Sequence, residues 1–249
     1  MRLWHGVALG VGAYLLFMIV TAPAARVLPW VQPEGVQLAG LEGSLWSGSA
    51  ALVTATPVQL QDLHWQLQPF ALLLGRAEAR LEARLEGRPV SARVGEGLFG
   101  SPYMADVNAT VAASDLLRWL RLNQVAADGN LTLELSEVQW PAGTVPALTG
   151  TAAWSPARVS APVELSLGTV RLATEAQDGI TAGKLTSSGG ALLVDGEVQL
   201  QPDGAYRLDA RIRQEGDVPD AVGQFLTTFA EYNDGLYRLE WADSLLALQ

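Results

Sequence analysis

The sequence predicts a mainly β protein, in which one N-terminal transmembrane helix precedes a large, strongly curved antiparallel sheet with two short helices. Three observations lead to this prediction. Residues 6–22 carry no charge, apolar and polar residues alternate along most of the remaining chain, and several alternating runs change phase midway. Alternation is typical of strands with one buried face, and a phase change indicates a bulge that bends a strand. Turns at hairpin spacing favour antiparallel pairing.

The uncharged run at residues 6–22 is interpreted as a membrane anchor. Its length is at the short end for a helix that crosses a hydrocarbon core of about 30 Å. Arg2 and the N-terminal amine favour a cytoplasmic location for residues 1–5, and Trp4 and Trp30 flank the run as interfacial aromatic residues do. The large apolar side chains of this anchor are Val7, Leu9, Val11, Tyr14, Leu15, Leu16, Phe17, Met18, Ile19 and Val20.

Two other interpretations of the run stay open. A cleaved secretory signal fits the small residues at Ala22 and Ala24, but Pro23 between them disfavours cleavage, and the run exceeds the usual signal core. A buried core helix fits poorly with five glycines and alanines among its first eight residues. If the anchor is retained, the chain comprises a linker, an extracytoplasmic β-rich domain and a tail, at residues 23–35, 36–242 and 243–249.

Composition argues against several classes of function. The 249 residues carry a formal net charge of -10 and contain no cysteine. Phosphate binding requires a basic surface, so nucleic acid is not an expected partner, and thiolate chemistry is absent without cysteine. His5 and His64 are the only histidines, and carboxylates such as Asp178, Asp195 and Asp209 are scattered. We therefore predict no catalytic, metal or cofactor site, and we do not expect an enzyme.

The first part of the body reads as strands. Residues 36–53 form a strand-like run interrupted by glycines, which mark bulges or close backbone approach within strands. In residues 58–67 the apolar face changes phase, and a bulge near Gln61–Asp62 would keep both apolar sets on the core side. His64 is then a solvated strand residue. Residues 69–74 are expected to form a turn and a short apolar loop.

Residues 77–86, with the sequence AEARLEARLE, are compatible with two structures. As a strand, they place Ala and Leu on one face and charged residues on the other. As a helix, they place like charges four residues apart, which is unfavourable. The strict alternation favours a strand with a solvated charged face.

The second part of the body combines strands with two helices. Apolar spacing predicts helices at residues 114–122 and 218–231. Asp128-Gly129-Asn130 is expected to turn the chain, after which Leu131, Leu133 and Leu135 lie on one face and Val138 and Trp140 on the other. The clearest element is a hairpin, with strands at residues 192–200 and 206–213 joined by Pro202-Asp203-Gly204. A closing strand is predicted around residues 237–241.

One stretch resembles a known family. Residues 40–50, GLEGSLWSGSA, resemble the G-x-x-G-x-L-W-S-G-x-A stretch of the type II secretion system protein N family. The position after an N-terminal apolar segment and a short linker also matches, as does Trp65 about twenty residues later. The residues that carry the resemblance are Gly40, Gly43, Leu45, Trp46, Ser47, Gly48 and Trp65.

This resemblance implies a single-pass protein of the inner membrane with a periplasmic body. It also implies an accessory role in the machine that exports folded proteins across the outer membrane, with other type II secretion components as partners. For the motif itself two interpretations stay open. Trp46 offers a large apolar plate, and Gly43 and Gly48 permit a sharp bend or a close backbone approach. The motif is therefore either a structural corner or a direct contact with a partner.

A looser resemblance links the chain to AsmA-like domains. The shared features are alternating strands with phase changes, the D-L-L-R-W-L helix and the late helix followed by D-G-L-Y-R-L. This resemblance implies lipid handling in the envelope, with an apolar groove in the curved sheet and phospholipid as the ligand. The groove is open only if the chain's own helices do not fill it.

Overall fold

The computed structural model describes residues 23–26, 35–97, 100–141 and 144–244. The predicted cytoplasmic N-terminus and membrane anchor, at residues 1–5 and 6–22, lie outside these residues. Within the described part of the chain, no helix is long and apolar enough to cross a membrane. The chain divides into two compact units, residues 1–98 and 99–249.

Unit 1 is an antiparallel sheet in which each strand pairs with the next one along the chain. A short helix, α1 (Pro69–Leu73), connects its third and fourth strands. The strands are β1 (Val36–Gly43), β2 (Ser47–Ala55), β3 (Val58–Leu67), β4 (Arg76–Leu85) and β5 (Arg88–Gly97). The predicted single run at residues 36–53 is thus a hairpin of two strands.

The predicted bulge in β3 is confirmed. Gln61 pairs with Arg84 and His64 pairs with Glu82, so β3 contains one more residue than β4 over this interval. Asp62 lies in the left-handed region, with φ 50°, and this conformation restores the apolar face after the phase change. The His64 ring is exposed, and its Nδ1 lies 2.9 Å from the carbonyl oxygen of Asp62.

The structure also decides the secondary structure of two further segments of unit 1, residues 77–86 and 69–74. Residues 77–86 belong to β4 and its following turn, so the strand interpretation is confirmed and the helix is excluded. The predicted turn and loop at residues 69–74 is wrong, because the segment begins with the helix α1. Pro69 at the first helical turn presets the backbone φ, and the Phe-Ala-Leu-Leu sequence that follows contains no β-branched residue.

Unit 2 is also antiparallel. Its strand order follows the sequence from β6 to β12, after which β14 pairs with β12 and β13 lies outside β14. The strands are β6 (Tyr103–Ala112), β7 (Ala126–Gln139), β8 (Ala147–Ala161), β9 (Leu165–Gln177), β10 (Ile180–Ser188), β11 (Leu192–Leu200), β12 (Ala205–Gln214), β13 (Glu231–Asn233) and β14 (Leu236–Ser244). The predicted mainly β, antiparallel fold is confirmed.

Both predicted helices of the body are present, as α2 (Ala113–Trp119) and α3 (Asp220–Phe229). Each is shorter than the apolar pattern predicted. Arg121 has φ 58°, which is incompatible with a continuing right-handed helix. Ala230 has extended backbone, so the chain passes from α3 directly into β13. Apolar spacing therefore predicts where these helices lie. Their C-terminal ends depend on the backbone conformation of the residues that lead into the next strand.

The predicted turn at residues 128–130 is wrong. The segment belongs to β7, where Asp128 pairs with Arg158 and Asn130 with Ser155, so the register shifts at this point. Gly129 has φ 99°, and the Trp154 indole donates a 2.9 Å hydrogen bond to the carbonyl of Asp128. Gly129 therefore lies opposite a bulge in β8, where Pro156 and Ala157 face this single residue of β7.

Other sequence predictions in unit 2 are confirmed. The phase change after Leu135 coincides with a register shift between Leu135 and Glu137. The hairpin predicted at residues 192–213 forms from β11 and β12. The closing strand is β14, which continues to Ser244. In each case local alternation and turn residues agree with the final pairing.

Each unit has its own apolar cluster. In unit 1, Ala24 packs with Ala50, Val53 and Trp65, so part of the predicted linker lies against the sheet. In unit 2, Leu226 of α3 packs on Leu192 and Ile212 of two strands. Helix α3 therefore covers one face of the sheet at the end of the strand order, beside β12 and β14.

Candidate functional site

The motif residues form the turn between β1 and β2. Gly43 pairs with Gly48 as the last pair of the two strands. The turn is closed by a backbone hydrogen bond of 2.9 Å from the Ser44 N–H to the carbonyl of Ser47. The Ser47 N–H donates in return to the hydroxyl of Ser44 at 3.2 Å. These reciprocal bonds define a tight corner stabilised within the hairpin.

Trp65 of β3 stabilises this corner by packing and by a hydrogen bond. Its side chain is only 8% exposed, and the indole Nε1–H donates a 3.1 Å hydrogen bond to the carbonyl of Leu45. The Leu67 N–H donates to the carbonyl of Trp46 at 2.8 Å. Residues of β3 therefore donate hydrogen bonds to two turn carbonyls that would otherwise lack partners, as buried backbone groups require.

The three motif glycines lie where a side chain has no room. A Cβ at Gly48 would overlap the Trp65 ring and the carbonyl oxygen of Glu42. Gly43 has φ +85°, and a Cβ there would lie 2.8 Å from the Cα of Gly48. Gly40 has φ +67°, and a Cβ there would lie 2.7 Å from the Cβ of Ala51. These contacts are those of a structural corner.

The corner also receives the chain that precedes β1. Pro23 forms an isolated antiparallel bridge with Ser44 of the turn, and the neighbouring Ala24 is completely buried. Leu45 and Trp46 are half-buried, and Ser47 is exposed. Of the seven motif residues, Gly40, Gly43 and Ser47 are exposed at the surface.

A surface that sequence patterning missed lies in unit 2. Phe225 and Phe229 of α3 have ring centroids 4.7 Å apart, and Phe229 lies 6.2 Å from Trp241 of β14. Tyr232 of β13 and Tyr237 of β14 form a second aromatic pair, with ring centroids 4.8 Å apart. We call these five residues the aromatic patch. Phe225 and Phe229 belong to the apolar spacing that predicts this helix, and they are 49% and 51% exposed.

The aromatic patch has acidic surroundings. Arg238 of β14 lies on the sheet face opposite Tyr237 and Trp241, where it bonds Asp209 at 2.7 Å and Glu240 at 3.0 Å. The hydrogen bond to Asp209, with the negative charges of Asp209 and Glu240, raises the pKa of the Arg238 guanidinium. The remaining charged side chains of α3, β13 and the connections around them are all acidic: Glu215, Asp217, Asp220, Glu231 and Asp234.

The scattered carboxylates do not assemble into a reactive group. Asp178 lies in the turn after β9, with φ 53°. Asp195 lies 3.8 Å from Lys184, and Asp209 is paired with Arg238. Within the residues that the structure describes, no group of three or more histidine, aspartate or glutamate side chains is arranged to hold a metal ion.

Fold and site together define a class: an antiparallel β-sheet protein of consecutive hairpins, with a glycine-rich corner fixed by a tryptophan. The family model described as type II secretion system (T2SS), protein N matches residues 34–240. The chain therefore belongs to the type II secretion system protein N family, and the resemblance seen in the sequence is confirmed.

Three relatives support this assignment, and each is named type II secretion system protein N. The protein of Vibrio cholerae serotype O1 is 32% identical over 219 residues, which cover 84% of this chain and 85% of the relative. That of Pectobacterium carotovorum subsp. carotovorum is 27% identical over 94% of this chain and 95% of its own length. That of Aeromonas hydrophila is 29% identical over 88% and 89%. No solved structure matches the chain significantly.

Proposed function

We propose that this protein is a non-catalytic accessory component of the type II secretion system, held in the inner membrane by residues 6–22, with its β-rich body in the periplasm. It acts by contacting other secretion components and so supports the export of folded proteins across the outer membrane. Membership of the protein N family supports the assignment of this protein to the type II secretion system. The uncharged N-terminal run supports the membrane location.

The aromatic patch is the observation that carries the proposed contacts. Exposed clusters of large apolar side chains are uncommon on monomeric proteins and mark interaction surfaces. Aromatic residues contribute much of the binding energy at protein interfaces because they bury a large area with few rotatable bonds. The acidic side chains around the patch favour a partner segment that combines apolar and basic residues.

Affinity purification of the full chain tests this function. The tagged protein is isolated from mildly cross-linked envelope membranes of a bacterium with an active type II secretion system. We expect other secretion components to be enriched, as measured by quantitative mass spectrometry against an untagged strain. Recovery of the protein without any such component would contradict the proposal.

Lipid handling is a second candidate, and one observation favours it. Several large apolar side chains on the core face of unit 1, such as Leu41, Leu63 and Leu81, are only partly buried, so this chain covers that face incompletely. A partly covered apolar face suits a ligand with acyl chains. Mass spectrometry of lipids that co-purify with the full chain tests this candidate. A defined phospholipid at constant stoichiometry, retained through detergent exchange, supports it, and lipid removed in proportion to detergent washing contradicts it.

A further inference from the structure

The connection between β3 and β4 exposes three large apolar side chains. Phe70 and Leu74 are each 79% exposed, and Leu72 is 41% exposed. We call these three residues the apolar tip. Residues 66–75, which contain the tip and helix α1, carry no charge. In the described part of unit 1, the exposed large apolar side chains all belong to this tip, and isolated hydrophobic side chains scattered over a surface would not show such grouping.

The apolar tip lies at the same end of the sheet as the glycine-rich corner. The first four strands of unit 1 pair antiparallel with their neighbours. The turn after β1 and the connection after β3 therefore lie at the same end of the sheet. The hydrogen bond from the Leu67 N–H to the carbonyl of Trp46 joins them directly. With neighbouring strands roughly 5 Å apart, the tip is on the order of 10 Å from the corner.

The segment that precedes β1 contacts unit 1 at this same end of the sheet. Pro23 is bridged to Ser44 in the corner, and Ala24 is buried in the apolar cluster. In the sequence, Pro23 directly follows residues 6–22, the proposed membrane anchor. With residues 6–22 as the anchor, we expect the corner at the headgroup layer, which is about 5–8 Å thick on each side of the bilayer.

We propose that the apolar tip inserts into the interface of the bilayer that residues 6–22 cross, so that unit 1 contacts the membrane at two points. This inference rests on the membrane anchor of the proposed function. Phenylalanine and leucine on a short uncharged segment are suited to the boundary between headgroups and acyl chains. Two contact points would fix the orientation of the sheet relative to the membrane, which a single flexible tether would not do.

The charges at this end are compatible with a phospholipid surface. Arg26 and Arg76 are exposed beside the corner and the tip, where cationic side chains reach lipid phosphates. Glu42 and Glu96 are exposed at the same end of the sheet. Their two negative charges balance the two positive charges of the arginines. The aromatic patch of unit 2 differs in this respect because its surroundings are acidic.

Single labelled cysteines in the full chain test the insertion. The chain has no cysteine, so L74C and Q59C each give one site for a polarity-sensitive fluorophore. Gln59 is exposed near the other end of β3, about 26 Å along the strand from Leu67. Both proteins are reconstituted into vesicles of phosphatidylethanolamine with a minority of phosphatidylglycerol. Flotation measures anchoring, and quenching by spin-labelled lipids measures the depth of the label.

We expect both proteins to float with the vesicles, and only the label at position 74 to shift to shorter emission wavelength and be quenched by the lipids. Adding F70S to L74C should reduce that quenching without affecting flotation. A floating protein whose label at position 74 stays in water would overturn the insertion while leaving the anchor intact, and a contact between the tip and another protein would then replace it. Failure of both proteins to float would contradict the anchor and the insertion with it.

Discussion

Gly48 lies against the indole ring of Trp65, and the same indole donates its hydrogen bond to the carbonyl of Leu45 in the neighbouring turn. One tryptophan thus contacts both the strand and the turn of the motif. The glycine is required because the ring occupies the space that a side chain would need. This relationship accounts for the combination of small and aromatic residues in the motif without invoking a partner.

Gly48→Ala should destabilise the protein by about 1–3 kcal/mol, because its Cβ would overlap both the ring and a backbone carbonyl. Chemical denaturation of the full chain, followed by circular dichroism, measures the change. Gly223→Ala is the matched control, since nothing lies within 4 Å of a Cβ there, and alanine in a helix is favoured by roughly 0.5–1 kcal/mol. Equal stability of the Gly48 variant and the parent would contradict the packing described here.

Trp65→Phe and Trp65→Ala separate the ring from its hydrogen bond. Alanine removes nearly all of the buried side chain and should cost about 3–5 kcal/mol. Phenylalanine keeps the inner part of the apolar side chain but loses the hydrogen bond to Leu45 and the outer ring atoms that face Gly48, so its cost should be smaller, about 1–3 kcal/mol. Denaturation of both variants gives the comparison. If phenylalanine were as harmful as alanine, burial of the inner part of the side chain would contribute little to stability.

Asp62→Val tests the bulge in β3. Asp62 has φ 50°, a conformation that costs a β-branched residue roughly 1–2 kcal/mol more than aspartate or asparagine. The side chain is exposed, and its 3.8 Å approach to Arg84 is at the surface, where ion pairs contribute little. Asp62→Asn should therefore be near the parent in stability and Asp62→Val clearly below it. Equal unfolding midpoints for the two variants would argue against a left-handed residue at this position.

The sequence predicts most strands because alternation is a local property, and all strand pairs except β12 with β14 join strands that are neighbours along the chain within each unit. The bulge near Asp62 was visible for the same reason, since a phase change shows directly in the residues. Gly129 was misread because a glycine permits a turn and a bulge equally well, and only the pairing of β7 with β8 decides between them. Local sequence cannot supply that choice.

The surfaces were harder to predict than the elements. Phe225 and Leu226 are adjacent apolar residues on one helix, yet Leu226 is buried and Phe225 is half-exposed. Helical spacing identifies a broad apolar side, but the position of the sheet determines which part of it is covered. The apolar tip was missed similarly, because an uncharged segment between two strands reads as an ordinary connection until its exposure is known.

The most direct test of the central claim compares the partners of the full chain with those of F225S/F229S, after cross-linking in envelope membranes. Both rings are about half exposed, so the variant should retain its fold, and I180S serves as a control at another exposed apolar position. We predict that the parent and I180S enrich other type II secretion components, while F225S/F229S loses most of that enrichment with unchanged circular dichroism. Undiminished enrichment in the folded double variant would contradict the role of the aromatic patch, and no secretion component with any of the three proteins would contradict the proposed function itself.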